Sequence, residues 1–198
     1  MLTERTASSS SSSTRRFAVN DAATPTPSAS QSATGSPTPS GSHPRITWLP
    51  LALDDRAALL QAASGAQLVL HALNPSQYTD TAWQREAPAF LETALDLAQA
   101  LGATLMMPGN VYNHGRALPA VLNEDSPQAP DHAKAHIRVA LEQRLQEAAT
   151  QQGVRGVLIR AGDFFGQGRG SWLDLVIAKD LARGVLTLPG PRDVPHAW

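Results

Sequence analysis

The sequence has no cysteine in 198 residues, which excludes disulfides, thiolate metal sites and a Cys nucleophile and suits a reducing compartment. It also lacks an excess of either charge. Its 16 basic and 17 acidic residues leave a net charge of -1, so no basic field draws the chain to nucleic acid or anionic lipid. Long apolar runs are missing as well: the longest, such as residues 67–73, fall far short of the roughly 20 residues that cross a bilayer. His114, His132 and His136 have no carboxylate partner at ligand spacing, and no metal site is expected. The chain is expected to be cytoplasmic, with neither nucleic acid nor membrane as partner.

The residues that are present fall into two textures. Residues 1–44 are almost wholly Ser, Thr, Pro, Ala and Gly, with an unbroken serine run at 8–13. Such a segment buries too little apolar surface to offset the entropy of ordering, and it reads as a disordered tail. From residue 45 onward, strand-like and helix-like blocks alternate. Residues 46–51, 67–73, 103–107 and 154–161 read as strands, and 56–63, 82–101, 131–152 and 171–183 as helices. The second helix sets Ala87, Phe90, Leu91, Ala94, Leu95, Ala98 and Leu101 at helical spacing and stops at Gly102; the third sets Ile137, Leu141, Leu145 and Ala148 on one stripe and stops at Gly153. This alternation argues for an α/β fold over residues 45–198, a Rossmann-like doubly wound parallel sheet with helices on both faces.

In such sheets ligands bind beyond the carboxyl ends of the strands, where loops converge and helix N-termini point. That rule selects residues 52–55, 72–76, 108–112 and 161–170. Met107-Pro108-Gly109-Asn110-Val111-Tyr112 closes a strand there, and about 22 residues after Tyr112 a helix carries Lys134 and, one turn on, Arg138. In order and spacing the chain resembles the extended short-chain dehydrogenase/reductase family, the NAD-dependent epimerases and dehydratases. The stretch LVLHALNP (68–75) resembles the family's fourth strand, whose end lies against the cofactor. PGNVY (108–112) resembles the strand end that normally reads Ser-Ser-x-x-Val-Tyr-Gly, and LIRAGDFFG (158–166) the next strand, where nicotinamide and substrate meet. The resemblance implies a partial Rossmann-like fold, NAD or NADP as cofactor, and a sugar nucleotide or small carbonyl or alcohol as substrate. It puts cofactor contacts at Ala72, Leu73, Asn74, Pro75, Pro108, Gly109, Asn110, Tyr112, Lys134 and Arg138, and substrate contacts at Asp163 and Phe164.

The departures from that family carry as much information. Its catalytic Ser or Thr falls on Pro108, its Tyr on Lys134, and its Lys on Arg138. In the family the Lys and the cofactor ribose lower the Tyr pKa, so that the phenol exchanges a proton with a carbonyl or alcohol. Proline offers no side-chain donor and an Arg stays protonated, so neither can join that relay. Lys134, with Arg138 beside it, is the remaining catalytic candidate, and it needs a lowered pKa to move a proton. Two other readings stay open: a non-catalytic nucleotide-sensing module in which this pair holds ribose or phosphate, and an inactive truncated gene product. The glycine loop that cradles pyrophosphate in the family is replaced by the tail, and the chain stops at Trp198 in what resembles the approach to a substrate domain. The domain is therefore expected to be truncated at both ends.

Plainer readings stand beside these. Lys134, Arg138 and Glu142 at i,i+4 spacing also make an ordinary solvated ladder. Tyr112 reads as a packing residue at the cleft, His71 as a satisfied strand histidine, and Asp163 as a turn former. Gly166, Gly168 and Gly170 imitate a phosphate loop, but Ser171 stands at the third glycine position, and the segment reads as a substrate-side loop. In the doubly wound order 3-2-1-4-5-6 the first strand is central. Without it the 67–73 strand has an unpaired apolar edge, and the 46–51 strand is expected to pair with it in the vacated slot.

Overall fold

The computed structural model describes residues 14–20 (by backbone alone), 45–164 and 171–188. Along them run β1 (Thr14–Asn20), β2 (Ile46–Ala52), α1 (Arg56–Ala62), β3 (Leu68–Leu70), α2 (Asp80–Leu101), β4 (Thr104–Asn110), α3 (Ala133–Gln151) and β5 (Arg155–Ala161). Each helix begins where a side chain supplies an acceptor to its free N–H groups. Asp55 accepts from Ala58 N at 3.0 Å, Thr79 from Ala82 N at 3.3 Å, and His132 Nδ1 from Ala135 N at 3.3 Å. Helix α2 stops at Gly102, whose φ of 62° favours a residue without Cβ.

The apolar stripes meet as the spacing demands. Trp83, Ala87, Leu91, Leu95 and Ala98 of α2 pack with Leu141, Leu145 and Ala148 of α3 over Leu105 and Met107 of β4. Leu91 and Leu105 are fully shielded from solvent; each such side chain contributes about 1.5–3 kcal/mol relative to exposure.

Strands β3, β4 and β5 form a parallel sheet in that order, with α2 and α3 as the two crossovers. This is the expected α/β architecture. Val69, Leu105, Met107 and Leu158 turn toward the helices, whereas Leu68, Leu70, Val157 and Ile159 on the opposite face are 38–52% exposed. Among the described residues, the helices thus cover one face of the sheet and not both.

Three other expectations differ from the structure. Strand β2 does not enter the slot beside β3; it pairs antiparallel with β1 over seven residues, from Thr14↔Ala52 to Asn20↔Ile46. Regular β3 is only three residues long, too short an edge for a seven-residue strand, while β1 matches the full length of β2. Strand β1 also lies inside the segment expected to be disordered; the rest of that tail, the Gly166–Gly170 loop and the chain's final ten residues fall outside the described residues. Residues 171–183 do not make one helix. A wide turn at Leu173–Ile177 and a tight turn at Leu181–Arg183 stand there instead, with Trp172, Leu175 and Leu181 exposed. A helical stripe without a surface to bury against lacks most of what stabilises a helix.

Candidate functional site

The end of β4 sets the geometry. Pairing with β3 stops at Leu70↔Met106, while β5 follows β4 to Asn110↔Ala161. Met106 O faces β3, since it accepts from His71 N at 2.9 Å. By alternation Pro108 faces the same side, where β3 no longer asks for a donor, so proline is tolerated and its carbonyl has no strand partner. Gly109 is needed for space: a Cβ there would lie 3.0 Å from Arg160 Cγ and 3.2 Å from Glu142 Oε1. Those two side chains form a half-buried ion pair at 2.7 Å, and Gln128 Nε2 donates to the same carboxylate at 2.8 Å. The trio ties α3, β5 and the loop before α3 together directly behind the cleft.

Helix α3 turns Arg138 into that cleft and Lys134 against Tyr78 at its edge, and not onto a solvated face. The Arg138 guanidinium stacks 4.8 Å from the centre of the Trp83 ring on α2. Its NH1 reaches Pro108 O only at 3.5 Å, and its Nε is shielded and donates to nothing. No carboxylate lies within ion-pair distance of Arg138 among the described residues, and burial lowers its pKa. Lys134, by contrast, is engaged: its ammonium bonds Asp80 at 2.6 Å and lies 4.4 Å from the centre of the Tyr78 ring. The third member of the expected ladder, Glu142, is held by Arg160, not by Arg138.

Two phenols face each other at the mouth. Tyr78 and Tyr112 hydroxyls are 3.5 Å apart, and Tyr112 N is anchored to Asn110 Oδ1 at 3.0 Å. The contact with Tyr78, together with burial, pushes the Tyr112 pKa up to about 12, so its hydroxyl remains a proton-bearing donor at neutral pH. His71 sits at the head of the loop leaving β3. It is not the satisfied histidine expected, because its Nδ1 is buried without a partner. Burial, and then the nearby Arg138 charge, lower its pKa to about 4, so it is neutral.

Asn74, Pro75, Asn110, Tyr112 and Arg138, all expected at the cofactor, line one cleft of about 370 Å³ together with Ser76, Tyr78 and Trp83. Ala72 and Leu73 lie half-buried in the loop that leads into it, Pro108 and Gly109 form its strand side, and Lys134 lies against Tyr78. Asp163 and Phe164 are exposed and do not line this cleft, although Asp163 is within electrostatic reach of Tyr112. A second depression, about 350 Å³, opens on the far side of Tyr112 between Arg116, Leu118 and His132. No group of three or more metal-ligating side chains exists among the described residues. Sequence reasoning missed Tyr78, Trp83 and the unsatisfied His71. The available signal was positional: an aromatic in the first turn of a helix whose N-terminus faces the carboxyl edge of the sheet.

No protein-family model matches the sequence, and no curated protein does. Solved structures do match the fold. A dTDP-glucose 4,6-dehydratase from Streptomyces venezuelae, solved with NAD, matches at a TM-score of 0.57 and 17% identity over 74% of this chain and 48% of its own. An epimerase candidate from Burkholderia cenocepacia matches at 0.57 and 23% identity, over 77% and 51%. UDP-N-acetylglucosamine 4-epimerase from Bacillus cereus matches at 0.51 and 14% identity, over 63% and 52%. The chain has the Rossmann-like fold of the NAD-dependent epimerases and dehydratases. It spans about half the length of these epimerase and dehydratase structures. Within the epimerase/dehydratase fold, the cleft around Arg138 is at the carboxyl edge of the parallel sheet, where α/β proteins of this kind bind ligands.

Proposed function

We propose that this chain is a nucleotide-binding protein of epimerase/dehydratase type that holds NAD(P), or part of it, against the carboxyl ends of β3 and β4 without the usual proton relay. One observation carries the reading: the three relay positions are filled by side chains that bind and cannot shuttle. Pro108 has no hydroxyl, Arg138 is a fixed cation stacked on Trp83, and Lys134 is tied to Asp80. Asn74, Asn110 and the two phenols supply hydrogen bonds around Arg138, and Trp83 closes the apolar side.

The fit to a whole dinucleotide is partial. Residues at the cleft suit a ribose or phosphate, and the described residues include no glycine-rich loop opening a helix that would cradle a pyrophosphate. A bound nicotinamide would supply hydride chemistry; the residues described here orient a ligand and keep Tyr112 protonated beside it. Sugar nucleotides are the substrate class that the similar structures suggest, and turnover of them is not expected from this set of side chains.

Titration of the full chain with NADH and NADPH, followed by nicotinamide fluorescence, tests the reading. Saturable binding in the micromolar range, without interconversion of UDP- or dTDP-sugars, supports it. Failure to saturate at millimolar concentration of both cofactors would overturn it.

A further inference from the structure

The side chains around the cleft are unbalanced in their hydrogen-bonding character. Arg138 Nε and Trp83 Nε1 are donors shielded from water with no acceptor, and His71 Nδ1 is buried and unpartnered beside them. Each such orphan costs on the order of 1–3 kcal/mol if nothing ever satisfies it. The Tyr78 and Tyr112 hydroxyls add two rotatable O–H donors, and their mutual contact at 3.5 Å is weak enough to yield to a ligand. Of the acceptors nearby, Asn110 Oδ1 takes Tyr112 N, Glu142 takes Arg160 and Gln128, and Pro108 O is met only at 3.5 Å by Arg138 NH1. A ribose diol both donates and accepts, so it would leave part of this donor set unmatched. A group with acceptors only would match it.

Charge points the same way. Lys134, Arg144 and Arg160 each hold a carboxylate at 2.6–2.7 Å, whereas Arg138 holds none among the described residues. Glu142 acts on Arg138 only at a distance, its carboxylate being taken by Arg160 and Gln128, and a desolvated cation without a direct ion pair is unfavourable until an anion arrives. We propose that the cleft takes an oxyanion, a phosphoryl or carboxylate group seated against Arg138 and reached by the hydroxyls of Tyr78 and Tyr112. This deepens the nucleotide-binding reading and rests on it: the charged group occupies the position where the family's Lys would meet the nicotinamide ribose. A volume of about 370 Å³ is near the lower end for ligand sites, which suits a mononucleotide or sugar phosphate better than a complete dinucleotide. His71, held neutral by burial, adds no second positive charge beside Arg138.

Calorimetric titration of the full chain with inorganic phosphate, AMP, adenosine and glucuronate, beside NADH, tests this. AMP is expected to bind at least tenfold more tightly than adenosine, with phosphate competing. Arg138→Gln is expected to weaken AMP roughly 10- to 100-fold while leaving adenosine within about twofold. Should that variant not fold, Tyr78→Phe and Tyr112→Phe replace it, each lowering AMP affinity severalfold with no effect on adenosine. Phosphate binding tighter than glucuronate makes a phosphoryl group the source of the oxyanion, and the reverse order makes it a carboxylate. Equal affinity for AMP and adenosine, with NADH still bound, overturns the oxyanion and spares the nucleotide reading. If phosphate and AMP bind but NADH does not, the oxyanion stands and the dinucleotide reading falls. If none of the five binds, both fall.

Discussion

Acid should weaken this fold through one imidazole. His71 is buried at the end of β3 with its folded-state pKa lowered to about 4, against an ordinary value of 6.5. The unfolded chain therefore binds a proton below pH 6.5 that the folded chain refuses until about pH 4, so stability present above pH 6.5 is lost as pH falls through that window. For one site the loss between pH 7.5 and pH 5 is about 2 kcal/mol, and it approaches about 3 kcal/mol at pH 4. Because pH 5 is a full unit above the folded-state value, the first figure changes little if that value moves by a few tenths. Urea denaturation monitored by circular dichroism at pH 7.5, 6 and 5 measures it, with His71→Gln as the comparison. Wild type should lose about 2 kcal/mol more than the variant across that range, since the other titrating groups are common to both. Parallel pH profiles for the two proteins, or an imidazole NMR titration of His71 with a midpoint near 6.5, would refute a neutral buried histidine at this place.

Two further outcomes follow from packing and backbone geometry. Leu91→Ala removes a fully shielded side chain between α2, α3 and β4, and chemical denaturation should show a loss of about 3 kcal/mol with the fold retained. Gly115→Ala places a Cβ 2.2 Å from Ala129 O at a φ of 54°, so the loop before α3 must move. Its amide spectrum should shift across residues 127–132, and unchanged spectra and stability would contradict the loop path described.

The sheet was legible because its signals are local. Apolar runs separated by helical stripes fix strand and helix identity, and α2 begins within two residues of where its spacing predicts. The lengths of β3 and β4 were less legible. Proline at 108 looked like the end of a strand, but it is tolerated because β3 has already ended on that side. Charges at i,i+4 look the same in sequence whether they face water or a cleft. Arg138 is distinguished only by Trp83 and Tyr78, which a different helix and its preceding loop bring in. Periodicity likewise could not tell that residues 171–183 would find no surface to cover. The pairing of β2 was illegible for a related reason: an apolar strand edge does not name its partner, and the seven-residue match to β1 outweighed proximity in sequence.

The division into two hydrogen-bonded sheets also governs how the molecule comes apart. Every residue of the large buried cluster belongs to α2, α3, the β3–β4–β5 sheet or the turns flanking it, while no residue of β2 is fully buried. The β1–β2 ribbon is therefore joined to the rest chiefly through α1, and a two-stranded ribbon alone is marginal in water. Cooperativity is accordingly unequal: the ribbon can open and reclose while the parallel sheet remains intact, so the cleft at Arg138 keeps its form whatever the state of the amino-terminal strands.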